Sequence, residues 1–60
     1  MDIEIIEQGI NTFGKIEDFE SFENRINKSI KITVEECERK IIDVVFLVKD
    51  NRMYAIIKSK

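Results

Sequence analysis

Two strand-like runs, Ile41 to Lys49 and Met53 to Lys60, are joined by Asp50 and Asn51 and are apolar on both of the faces a hairpin would present. A two-residue loop at Asp50-Asn51 predicts Val48 opposite Met53, Phe46 opposite Ala55 and Val44 opposite Ile57 on one face. It predicts Leu47 opposite Tyr54, Val45 opposite Ile56 and Asp43 opposite Lys58 on the other, because side chains alternate along a strand. A hairpin with one face in water should be apolar on one side only. A chain of 60 residues can cover one face of such a sheet, but hardly two. The sequence therefore predicts a protein that associates.

Size points the same way. Sixty residues make one small domain, residues 1–60, near the lower limit for folding without a staple. With a single cysteine, Cys37, and no histidine, the chain can form neither an intramolecular disulfide nor a tetrahedral Cys/His zinc site. Oligomerisation is the remaining staple. Hydrophobic residues at 43% beside 37% charged ones place the chain among globular proteins, not disordered ones. No run reaches the length of a membrane span, and Met1-Asp2-Ile3-Glu4 is acidic where a signal peptide would be basic. With the free Cys37, this predicts a cytoplasmic protein without membrane attachment.

The net charge of −2 is unevenly placed: seven acids against three bases in residues 1–30, five against seven in residues 31–60. This overall acidity argues against nucleic acid as the main partner. Twelve isoleucines against one leucine favour strands. They also fit the codon usage of a low-GC bacterium or its phage.

Ile3-Glu4-Ile5-Ile6-Glu7 reads as a first strand, with Ile3 and Ile5 on one face. Gln8-Gly9 and Asn11-Thr12 supply turn chemistry, and Gly14 can begin a helix. From Lys15 to about Ser29 the pattern is helical. Ile16, Phe19, Phe22, Ile26 and Ile30 fall in an arc roughly 120° wide, with acids in the first turns and Arg25 and Lys28 near the end. Residues 30–40 carry two signals. Ile30, Ile32 and Val34 alternate like a strand, yet Thr33-Val34-Glu35-Glu36 matches a capping box, and Val34, Cys37 and Ile41 repeat at helical spacing. The β-branched run favours a strand at about 30–35 and a polar turn through Glu36–Lys40. The expected fold is α+β: a small antiparallel sheet, β-α-β-β-β or β-α-β-β, with one amphipathic helix on one face. Phe19, Phe22 and Ile26 would meet Val44, Phe46 and Ile57. Val45, Leu47, Tyr54 and Ile56 would stay uncovered as an interface.

The amino-terminal strand, Phe22-Glu23-Asn24-Arg25-Ile26-Asn27, Ile41-Ile42-Asp43-Val44 and Tyr54-Ala55-Ile56-Ile57 together resemble the small sporulation-associated proteins of the Cse type in Gram-positive bacteria and their prophages. The resemblance spans about half of the chain; the polar stretch Thr33–Lys40 departs from it by its length. It implies a small α+β protein in a bacterial or phage genome and carries no catalytic residue.

Candidate sites are few. Cys37 sits among Glu35, Glu36 and Glu38 with nothing beside it that would activate a nucleophile, so an unreactive thiol is expected. The same acids interleave with Arg39 and Lys40 without recognisable ligand spacing, so a solvated turn is expected instead of a metal site. Glu17, Asp18, Glu20 and Glu23 read as helix-start electrostatics. Tyr54 with Lys49, Arg52 and Lys58 is the one ligand-binding candidate, since Tyr can stack on a nucleotide ring and Arg can hold a phosphate. Interface packing by Tyr54, with cations blunting strand edges, is favoured over it. Phe13 lies off the helical stripe, either against the first strand or exposed to a partner.

Without histidine, a catalytic constellation or a cofactor motif, the expected function is a non-enzymatic, homo-oligomeric binding protein of low-GC bacterial or phage origin. A phage protein of this kind would inhibit host defence, by binding a host protein or by sequestering a small anionic, nucleotide-like signal. The alternative is a structural or assembly protein of a spore or virion. A nucleic-acid accessory role ranks third.

Overall fold

The computed structural model describes residues 1–60. Its four elements are β1 (Asp2–Glu7), α1 (Phe19–Glu35), β2 (Ile41–Lys49) and β3 (Arg52–Ser59). The hairpin β2–β3 forms in the register that its alternation predicts, from Val48 opposite Met53 to Asp43 opposite Lys58. Asp50 and Asn51 both take positive φ, 53° and 63°. Two left-handed residues give the tight turn whose twist matches that of the strands, and Asp and Asn tolerate it better than most side chains. One irregularity lies between Ile41 and Asp43. The extra residue, Ile42, bulges outward and is half exposed, while Ile41 swings to the helix side and packs on the core.

β1 pairs with β3, not with β2, so the sheet order is β1-β3-β2 and all neighbours are antiparallel. The architecture is thus the α+β fold in its β-α-β-β form. α1 lies across one face. Its buried Phe22 and Ile26 meet Ile6 of β1 and Ala55 and Ile57 of β3, and Ile30, Ile41, Val44 and Met53 pack around them. Ile6 enters the core because the alternation of β1 sends Ile3 and Ile5 to the other face.

Three expectations are corrected. The helix starts at Phe19, where the Asp18 side chain accepts the Ser21 N–H at 2.8 Å as the N-cap, instead of at Lys15. It runs to Glu35, so residues 30–35 are helix, not strand. Extending an existing helix adds one hydrogen bond per residue without a new nucleation cost, which outweighs the poor propensity of Ile32, Thr33 and Val34. The polar turn follows as expected: the Glu36 and Cys37 N–H groups both donate to the Ile32 carbonyl, and Glu38 takes φ 54° to reverse the chain. Third, Phe46 and Phe19, expected in the core, are each 53% exposed. Their sides of the sheet and helix are as expected, but the buried contacts gather on β3 and leave the outer strand β2 thinly covered.

Candidate functional site

The face of the sheet turned away from α1 is lined by Ile3 and Ile5 of β1, Val45 and Leu47 of β2, and Tyr54 and Ile56 of β3. Strand pairing sets Ile5, Ile56 and Val45 in one row and Glu7, Tyr54 and Leu47 in the next. Ile3 and Ile5 are 60% and 64% exposed, and Val45 and Leu47 are 36% and 40% exposed. The face thus contains the four predicted interface residues, Val45, Leu47, Tyr54 and Ile56, and gains two that the sequence did not assign to it. The signal for Ile3 and Ile5 was present in their alternation, but the place of β1 beside β3 was not.

The whole molecule shows the same surplus. Its accessible surface is 4682 Å², whereas a folded monomer of 7.1 kDa is expected to expose about 4,100 Å². The excess, roughly 600 Å², is of the order that one partner contributes to a standard interface. The radius of gyration of 12.4 Å also exceeds the roughly 10 Å of a compact chain this long.

The ligand-binding candidates are less well assembled. Lys49 and Arg52 face each other at the turn, with Tyr54 next on the same face. Lys58 lies four residues further along β3, about 13 Å from Tyr54, and pairs with Asp43. Arg52 is already engaged: its Nε and Nη2 donate to the Gln8 carbonyl at 3.0 and 2.6 Å, and Nη2 lies 3.7 Å from Glu7 Oε1. The four residues form a line, not a cradle.

Gln8, read from the sequence as a turn residue, is a buried latch. Its backbone N–H donates to the Met53 carbonyl, its Oε1 accepts the Met53 N–H, and its Nε2 donates to the Glu17 carbonyl at 2.6 Å. Gln8→Ala is expected to lower stability by about 1–3 kcal/mol, because a strand-end N–H and a loop carbonyl lose their partners. Thermal unfolding measures it; an unchanged midpoint would mean water replaces the amide.

Glu17 was read as one of several helix-start acids and proves to be a hub. Its carboxylate accepts the Gly9 N–H at 3.0 Å, the Ser21 hydroxyl at 2.7 Å and Arg25 Nη1 at 2.5 Å. The Gly9 N–H first, then Ser21 and Arg25, hold its carboxyl below the ordinary 4.5. A lowered folded pKa means that Glu17 stabilises the fold above its unfolded value and loses that contribution as pH falls through the folded one. The melting temperatures of the parent and Glu17→Gln should therefore differ near neutrality and converge in acid. A gap independent of pH would show that the charge is not responsible.

A groove of about 580 Å³ runs between α1 and β1, lined by Glu4, Arg25, Lys28, Ser29, Cys37 and Arg39 among others. Several of its polar groups are already paired, Ser29 with Glu4 and Arg39 with Asp2. Cys37 is exposed, as is Phe13, which stands 93% exposed. Phe13 tips a loop closed by the Ile10–Ile16 bridge and by the Asn11 side chain, which accepts the Phe13 and Lys15 N–H groups. Of the two places open to Phe13 in the sequence, it takes the exposed one. No helix is long and apolar enough to cross a membrane. No family model, curated protein or solved structure matches this chain.

Proposed function

We propose that this chain is a non-enzymatic binding protein that works as a homo-oligomer, with the open face of the sheet as its shared surface. The observation that carries the reading is the row Ile5-Ile56-Val45 with Ile3, Tyr54 and Leu47 beside it, an apolar face with nothing packed on it. Such a patch of a few hundred Å² is at the size that marks interaction sites. Covering it is worth several kcal/mol at about 25 cal/mol per Å², comparable with the whole stability of a domain this small.

Absolute mass in solution, measured by light scattering over a wide concentration range, tests the proposal. A stable mass of two or more chains is the expected result. A monomer at every concentration would overturn it and move the face to a different protein partner.

Beyond self-association, the reading that best fits a low-GC bacterial or phage source is interference with a host protein presented to the assembled surface. The isoleucine-rich composition and the resemblance to Cse-type proteins support that source. Sequestration of a small anion has weaker support, because Arg52 is held by Gln8 and Lys58 stands apart. Thermal shift against linear and cyclic nucleotides separates the two, since a ligand bound tightly by the fold must raise its melting temperature.

A further inference from the structure

The two edges of the sheet differ in a way that the open face does not explain. β1 carries Asp2, Glu4 and Glu7 and no base, so pairing with its own copy would set acids beside acids. β2 is nine residues long, has no proline, and between Asp43 and Lys49 carries only Val44, Val45, Phe46, Leu47 and Val48. A long apolar edge without a charge or bulge at its centre is a site that adds a strand. Its bulge lies at one end, near Ile42.

The backbone of β2 is oriented for such pairing. The Met53 N–H and C=O turn toward Gln8, on the β1 side of β3. Because hydrogen-bonded and non-hydrogen-bonded positions alternate, Ala55 and Ile57 turn the same way. Their β2 partners, Phe46 and Val44, and the Met53 partner Val48, therefore point their own N–H and C=O groups out from the free edge.

We propose that the β2 edge pairs antiparallel with the β2 edge of a second copy of this chain, about a two-fold axis at Phe46, to make a continuous six-stranded sheet. In this register Phe46 faces Phe46 of the second copy and Val44 faces Val48, so the outward N–H and C=O groups meet in hydrogen-bonded pairs. On the open face Val45 faces Leu47, and Asp43 faces Lys49 at both ends. That charge match selects the register: sliding by two residues places Asp43 opposite Leu47 or past the turn. The pairing also accounts for Phe46 and Val48, which lie on the helix side of the sheet yet remain 53% and 68% exposed. They sit beyond the reach of their own helix and would be covered between the two helices of the pair. An aromatic cross-strand pair at the centre adds to the contact.

This interface is separate from the open face, and the two can be tested apart. Phe46→Pro removes one outward N–H and no bond to β3, and proline is tolerated at such edge positions. It should halve the mass of the assembly while far-UV circular dichroism stays that of the parent. If both interfaces form, Ile5→Glu, on the open face but on the far strand β1, should also halve the mass, by opening the face, and the double variant should be monomeric. A folded Phe46→Pro chain with the parent's mass would overturn the edge pairing, whatever Ile5→Glu does.

Should Phe46→Pro fail to fold, charge reversal decides. Asp43→Lys alone and Lys49→Asp alone each place like charges opposite one another at both ends of the edge, and should weaken association about tenfold or more. Mixing the two single variants restores an opposite pair at each end, so heterodimers should form with the parent's affinity. Equal association of both variants alone and mixed would remove the proposed register.

Discussion

Phe22→Ala is expected to cost about 3–5 kcal/mol and to leave the chain largely unfolded at room temperature. Phe22 is fully buried, with Ile57 one of the two largest side chains removed from water, in a core of five residues. Deleting its ring removes the transfer free energy of the aromatic side chain and leaves a cavity among Ile6, Ile26, Ala55 and Ile57 that a helix pinned at Asp18 cannot close. A domain of this size has roughly 3–9 kcal/mol to lose. Denaturant unfolding of the parent and variant measures the difference. A cost below about 1 kcal/mol would mean that association, not this core, supplies most of the stability. The matching substitution on β2, Phe46→Ala, is expected to cost far less in the isolated chain because that ring is half in water.

Leu47→Glu is the second large effect, and it falls on assembly. Leu47 lies on the open face opposite Tyr54, one row from Ile56 and Val45. It is 40% exposed in the isolated chain, so a glutamate there keeps its carboxylate in water and the fold is expected to survive. In a face-to-face assembly the same carboxylate would be buried against apolar side chains without a partner. The penalty for an uncompensated charge, several kcal/mol, corresponds to a loss of association by a factor of at least a hundred. Sedimentation or light scattering at matched concentrations reads the result. If Leu47→Glu assembles like the parent, the open face is not the shared surface, even if an oligomer exists.

Local signals in the hairpin were strong enough to be read directly. Asp50-Asn51 specifies a tight turn, and once the loop has two residues the register of every pair from Lys49 to Asp43 follows, because one slip would exchange the faces. The face assignments of Val45, Leu47, Tyr54 and Ile56 were legible for the same reason. The stripe Phe22, Ile26 and Ile30 was equally clear from its helical spacing. Residues 30–35 misled because strand propensity at Ile30, Ile32 and Val34 is an average over contexts, whereas here the preceding helix supplies the hydrogen-bond partners. Phe46 misled in another way: alternation gives the side of a sheet, but not how far a single helix reaches across it.

The hairpin, its turn, its two apolar faces and the buried stripe of the helix all depend on residues near one another in the chain, and each is legible there. That β1 lies beside β3 emerges only when the whole chain packs. That neighbour carries Ile3 and Ile5 onto the open face and makes β2 a free edge. It also turned Gln8 and Glu17 from turn and helix-start residues into the hydrogen-bond centres that tie the loop to α1 and β3. The difference is one of range. Periodicity and turn chemistry act between close neighbours, while strand order joins residues as distant as Asp2 and Ser59 and the Gln8 latch spans 45 residues, and no local pattern records which distant group will be there.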